Sequence, residues 1–195
     1  MATIPLEIQI SLISKFKFSS QGGGKHGYLP EVGKKRGYTS NLKTPLDSLS
    51  DEDFFEWLRG FVDAEGNFFI QTIENRFKLV FTLCLHKDET PLLKYIAQRL
   101  GVGNLSVKEN SVSFTVSSRG DLLHILRIFD KRPLNTSKNL NYIMFRKAYD
   151  LYFNRESIKV SSELRKEILN LKNQMNKKRI DFNQPKGHSI NITRY

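Results

Sequence analysis

From Ser50 onward, apolar and polar residues follow two alternating rhythms. Ser50 followed by Asp51, Glu52 and Asp53 is a helix start, a capping hydroxyl with acids in the first turn. Phe54, Phe55, Leu58, Phe61 and Val62 then recur at helical spacing, and Gly66 supplies a stop. Two strand-like runs follow. In the second, Phe77, Leu79, Phe81, Leu83 and Leu85 alternate with Lys78, Val80, Thr82, Cys84 and His86, which gives one greasy face and one mostly polar face. A helix is predicted from about Thr90 to Leu100, ended by Gly101. A second strand pair comes next. Leu105 and Val107 alternate with Asn104, Ser106 and Lys108, and Val112, Phe114 and Val116 alternate with Ser111, Ser113, Thr115 and Ser117, with Glu109–Asn110 as the turn. Helices are predicted over about Asp121–Phe129, Asn139–Asn154 and Ser161–Asn176, the last with Leu164, Ile168, Leu171 and Met175 on one stripe. This order predicts an α+β domain: four antiparallel strands, helices on one face, and a polar face left exposed.

The flanks read differently. Residues 15–45 are interrupted by Gly22, Gly23, Gly24, Gly27, Gly33 and Gly37, and carry Lys15, Lys17, Lys25, Lys34, Lys35, Arg36 and Lys43 against the single acid Glu31. The glycine-lysine order of a phosphate-binding loop is absent, so residues 1–49 are expected to form a basic arm that adds unspecific affinity for phosphates. Residues 50–176 form the expected domain and 177–195 a tail.

Charge narrows the class of partner. The 195 residues hold 31 Lys+Arg against 20 Asp+Glu, a formal net charge of +11, which favours a polyanion. A hydrophobic content of 39% suffices for a core, so the chain is not a disordered basic tail. One cysteine, Cys84, excludes an intramolecular disulfide and a cysteine-rich zinc site, and reads as a small strand residue. No run approaches the length of a membrane span, and Met1–Ser14, with Glu7 and Gln9 in its apolar stretch, makes a poor signal or transit peptide. No membrane partner is expected.

The segment Leu58-Arg59-Gly60-Phe61-Val62-Asp63-Ala64-Glu65-Gly66 breaks a local rule. Asp63 and Glu65 fall in the last helical turn, where the macrodipole disfavours anions by ~0.3–1 kcal/mol each. Such violations mark candidate functional sites. Gly60 and Ala64, four apart, make a small face that admits a second helix at close range. Two copies packed side by side would bring two carboxylates together at their C-terminal ends. Paired acids hold Mg²⁺ through hard oxygen ligands, and such metals serve phosphodiester cleavage. The plainer alternative is an amphipathic helix whose acids are solvated, with Arg59 and Asp63 as a surface salt bridge.

Leu58–Gly66 resembles the LAGLIDADG motif, with Arg in the second place and Glu for the final Asp. The run Trp57 to Ile70, the stretch LCLHKDETPLLKYIAQRLGVG (Leu83–Gly103) and the stretch FDKRPLNTSKNLNYIMFRKAYDLYFN (Phe129–Asn154) are similar to mitochondrial members of that family. The resemblance implies the LAGLIDADG homing endonuclease fold, α-β-β-α-β-β-α with a four-stranded antiparallel saddle sheet. It implies that Glu65 binds the catalytic metal, Mg²⁺ or Mn²⁺, with Asp63 beside it, and that Lys138 stabilises phosphate charge. It also implies that the polar strand face lies in the major groove of double-stranded DNA. The candidate readers are Gln71, Lys78, Thr82, His86, Asn104, Ser106, Lys108, Ser113, Thr115 and Arg119.

Two features depart from the family pattern. Arg59 replaces a small residue on the motif helix, and the chain holds one motif where the acid pair needs two. Single-motif relatives pair as homodimers, whereas double-motif relatives carry both copies. The end of the chain, NLKNQMNKKRIDFNQPKGHSINITRY, resembles the connector of double-motif fungal mitochondrial proteins. The expectation is therefore a first half, a partial or degenerate protein with weak or no nuclease activity alone. Three functions remain open: a metal-dependent homing endonuclease, an RNA maturase that binds group I intron RNA and assists splicing, and a basic structural or ribosome-associated protein. The resemblance points to the mitochondrion, with the chloroplast second.

Overall fold

The computed structural model describes residues 48–155 and 160–188. The predicted basic arm and the last residues of the tail lie outside the described residues. The element order is α1 (Asp51–Glu65), β1 (Gly66–Ile73), β2 (Arg76–His86), α2 (Thr90–Leu100), β3 (Asn104–Val107), β4 (Ser111–Val116), α3 (Arg119–Lys131), α4 (Lys138–Phe153) and α5 (Ser162–Asn173). Two short 3-10 turns, Lys87–Glu89 and Asn176–Lys178, follow β2 and α5.

Helix α1 starts where the capping pattern places it: the Asp53 N–H donates to Ser50 Oγ at 3.2 Å. Its buried residues, Phe54, Trp57, Leu58, Phe61 and Val62, form one stripe. The sheet runs β1-β2-β4-β3 and every pairing is antiparallel. The two hairpins are thus joined through β2 and β4, and β1 and β3 are edges. Residues paired across strands share a face, so Phe68, Ile70, Phe77, Leu79, Phe81, Leu83, Val112, Phe114 and Val116 all point into the helical layer and are buried. Phe68 is fully buried at the centre, with ring centroids 4.9 Å from Phe81, 5.3 Å from Phe145, 5.5 Å from Tyr142 and 6.0 Å from Phe129. Burying that much aromatic surface is the main stabilising term here. The Tyr142 hydroxyl reaches the Leu126 carbonyl (2.9 Å) and Asp130, and burial together with that carboxylate pushes its ionisation well above the ordinary tyrosine range.

Two boundaries differ from expectation. Helix α3 extends beyond the expected bounds at both ends: Ser118, not a later residue, caps its start (Asp121 N–H to Ser118 Oγ, 3.2 Å), and it runs on to Lys131. Helix α5 stops at Asn173, short of Asn176. Asn176 takes a left-handed φ of 54° because buried partners hold it there. Its N–H donates to Asn141 Oδ1 at 2.8 Å and its side-chain amide to the Phe68 carbonyl at 3.0 Å. Met175 still reaches the core, but from beyond the helix.

Candidate active site and nucleic-acid interface

Helix α1 runs into β1 without a loop. The helix-ending Gly66 has extended dihedrals (φ −72°, ψ 149°), not the left-handed geometry of a usual glycine stop. Glycine is required there by crowding: a Cβ would lie 2.6 Å from Val62 Cγ1 and 2.7 Å from the Val62 carbonyl oxygen. Gly66→Ala is expected to cost about 1–3 kcal/mol of stability, read as a lower denaturant midpoint, because backbone must shift to admit the methyl.

The junction presents Ala64 and Glu65 to solvent, with Gly60 half-buried one turn back. Asp63 behaves differently from its neighbour. Its carboxylate accepts from the Asn135 N–H (2.8 Å), the Thr136 N–H (3.0 Å) and the Thr136 hydroxyl (2.7 Å), in the loop before α4. This corrects the alternative of an Arg59–Asp63 salt bridge. Arg59 instead pairs with Glu56 at 2.8 Å, and its side chain is only 13% exposed. Glu56 and Glu52 also hold Arg132, the residue after α3, whose guanidinium lies over the Phe55 ring. Arg59 is therefore folded down along its own helix, a resolution of the departure from a small residue.

The loop that Asp63 holds leads directly into Lys138, the first residue of α4. The Lys138 N–H donates to Thr136 Oγ1 (3.2 Å), and its ammonium donates to the carbonyls of Ala64 (3.2 Å) and Gly66. Those carbonyls belong to the last turn of α1 and the residue after it, where helix carbonyls lack intrahelical partners and a cation is favoured. Burial lowers the Lys138 pKa from its ordinary value, opposed by the negative charges of Asp63 and Glu65. Glu65 and Lys138, 73 positions apart in sequence, thus share one end of α1.

The second surface is the outer face of the sheet. The pairing brings Asn67, Thr82, Thr115 and Asn104 into one row across all four strands. Cys84, Ser113 and Ser106 form the next row, Gln71 pairs with Lys78, and His86 with Ser111. Eight of the ten sequence candidates (Gln71, Lys78, Thr82, His86, Asn104, Ser106, Ser113, Thr115) therefore share this face. Two do not lie in strands. Lys108 sits in the β3–β4 turn, where its N–H donates to the Ser111 carbonyl at 2.7 Å. Arg119 opens α3, since the strand ends at Val116 and Ser118 turns the chain into a helix. The face also holds Asn67, Arg76, exposed Cys84 and Ser111. It is not wholly polar: Val80, 3% exposed, pairs with Phe69 on this side, apart from the core cluster.

A four-stranded antiparallel sheet with an open polar face, entered from a helix that ends in an exposed acid, is the LAGLIDADG homing endonuclease fold. The crystal structure of the LAGLIDADG meganuclease I-CpaMI bound to uncleaved DNA superposes with a TM-score of 0.59 at 34% identity, covering 66% of this chain and 44% of that one. Residues 58–149 match the family described as LAGLIDADG endonuclease. It is 36% identical over 109 residues to "Probable intron-encoded endonuclease Cox1-I1b" of Schizosaccharomyces pombe, covering 52% of this chain and 28% of the relative. It is 27% identical over 157 residues to "Uncharacterized mitochondrial protein RF1" of Saccharomyces cerevisiae, covering 73% of this chain and 32% of the relative. The chain spans about a third of the length of these curated relatives.

Among the described residues, no helix is long and apolar enough to cross a membrane. No group of three or more His, Cys, Asp or Glu side chains gathers into a metal site there either. One chain offers one uncommitted carboxylate at the end of α1, Glu65, because Asp63 is spent on the α4 loop. An exposed carboxylate is a hard oxygen donor and fits Mg²⁺ or Mn²⁺ as one ligand of several.

Proposed function

We propose that the chain forms one half of an intron-encoded, site-specific DNA endonuclease that acts in the mitochondrion. The observation that carries this reading is the convergence of Glu65 and Lys138 at the end of α1, in a domain whose outer sheet face carries eight of the candidate readers. The family and the likeness to a DNA-bound meganuclease support it. So do the mitochondrial and intron-encoded relatives.

In this reading the Gly60–Ala64 side of α1 packs on the matching helix of a second half, either a homodimer partner or a second LAGLIDADG unit. That packing brings Glu65 near its counterpart acid. Glu65 would hold a divalent cation, and the bound metal would supply a nucleophile at neutral pH and charge for the leaving oxygen. Lys138, anchored on two carbonyls, holds a positive charge within the site for the phosphate. Gln71, Lys78, Thr82, His86, Asn104, Ser106, Ser113 and Thr115 are the proposed base readers, joined by Asn67 and Arg76. Lys108 and Arg119 contact backbone phosphates from the rim.

The test is incubation of the purified protein with DNA spanning the uninterrupted insertion site, with and without Mg²⁺. Staggered double-strand cuts that vanish on chelation are the expected result. Metal-independent binding without cutting, together with stimulated splicing of the host intron RNA, would replace the nuclease by a maturase. Light scattering decides between a homodimer and a heterologous partner.

A further inference from the structure

A cleft of about 650 Å³ lies between the edge strand β1 and the turn that follows α5. Phe69 and Met175 are among its apolar lining, Asn67 opens it toward the outer sheet face, and Lys172, Lys177 and Lys178 line it from the turn side. Asn67 and Phe69 belong to the outer sheet face, but the lysines that line the cleft belong neither to the motif nor to that face.

Two observations make this more than a surface cluster of lysines. First, the charges are not neutralised. The Lys172 ammonium donates to the neutral Thr72 hydroxyl at 3.0 Å and the Lys178 ammonium to the neutral Asn173 side-chain oxygen at 3.1 Å. Among the described residues none of the three lysines forms an ion pair with a carboxylate. Second, the turn is built, not loose. Asn176 is locked in its left-handed conformation by Asn141 and the Phe68 carbonyl. Arg179, 9% exposed, ties the next residues to the Ser137 carbonyl (2.6 Å) and to Asn141. Buried polar networks of this kind fix one geometry. Here the geometry it fixes is the display of Lys177 and Lys178. Asn67 places the mouth of the cleft two residues after Glu65 in β1.

We propose that this cleft is a seat for the sugar–phosphate backbone of a bound nucleic-acid strand, with Lys177 and Lys178 contacting successive phosphates and Lys172 supporting them. It rests on the nucleic-acid reading above and adds to it a sequence-independent contact next to the reacting end of the site. Charge complementarity selects the occupant: three ammonium groups without a carboxylate partner among the described residues, beside apolar Phe69, suit a phosphodiester chain. Contacts to the backbone set register and affinity, and carry no sequence information.

Phosphate contacts show in salt dependence, each contributing about 0.9 to the slope of log affinity against log salt on duplex DNA. The probe is a labelled random-sequence duplex of about 30 base pairs, titrated by fluorescence anisotropy across a salt series. Lys177→Ala/Lys178→Ala is expected to reduce the slope by roughly 2 and to weaken binding at least about tenfold at ~0.1 M salt. Lys131→Ala/Lys147→Ala, on the helical layer, is expected to leave the slope unchanged. Thermal melts of both variants confirm the fold, and Lys172→Met supplies a milder third point. An unchanged slope in the Lys177/Lys178 variant overturns the cleft while leaving the nuclease reading intact. An equal fall in the control pair also overturns it, since net charge would then be the cause. Failure of the unaltered protein to bind any duplex overturns both.

Discussion

Glu65→Gln is expected to abolish metal-dependent cleavage, by about 10³-fold or more, while leaving melting temperature and DNA affinity near their original values. The magnitude follows from the several kcal/mol that a catalytic metal contributes, at about 1.4 kcal/mol per tenfold. The separation of activity from stability follows from position. Glu65 is the last residue of α1, exposed, and not a partner in any ion pair among the described residues. The helix macrodipole disfavours its charge by about 0.3–1 kcal/mol, which offsets the attraction to the Lys138 ammonium that is lost when the charge is removed. Gln keeps the size but is a poorer oxygen ligand for a hard cation. Gel-based cleavage assays, melting curves and anisotropy on the same preparation check all three statements. Cleavage by the variant at the original rate would remove Glu65 from the site.

The place of Glu65 at the exposed end of α1 was legible from sequence. A carboxylate at the wrong end of a helix breaks a local rule, which made Asp63 and Glu65 candidates for function. Much of the fold was legible for a related reason: Ser50 with three following acids, and the Phe77–His86 alternation, are local signals that tertiary packing reinforces. Lys138 was reached only through family resemblance, because nothing local distinguishes a lysine at a helix start. Three things were hidden because they depend on distant partners. The end of α5 is set by Asn141, 35 positions from Asn176. The rotation of Asp63 away from Arg59 is set by backbone donors 72 and 73 positions on. The extended form of Gly66 follows from β1 starting at once, so that Val62, not a turn, dictates the glycine. Outer-face membership of Asn67 and Arg76 was within reach, since both continue the period-two pattern of their strands.

Asp63→Asn is expected to lower cleavage by about 10–100-fold and stability by about 2–4 kcal/mol, although Asp63 need not touch the nucleic acid. Its carboxylate accepts three hydrogen bonds from Asn135 and Thr136, and bonds to a charged acceptor contribute about 1.5–3 kcal/mol each, not additively. An amide offers one oxygen in place of two and turns a donor group toward N–H groups, leaving at least one of them unpaired. The functional loss travels through Thr136, which also accepts from the Lys138 N–H. If the loop relaxes, α4 starts in a different place and the Lys138 ammonium loses the Ala64 and Gly66 carbonyls. A displacement of about 1 Å near a reacting phosphate is enough to cost roughly 10²-fold. The double variant Asp63→Asn/Lys138→Met separates this positioning role from general destabilisation. Under assay conditions where every variant is folded, it should cleave no more slowly than Lys138→Met alone, because residues acting as one unit are not additive. A further fall in the double variant would mean that Asp63 contributes to cleavage independently of Lys138.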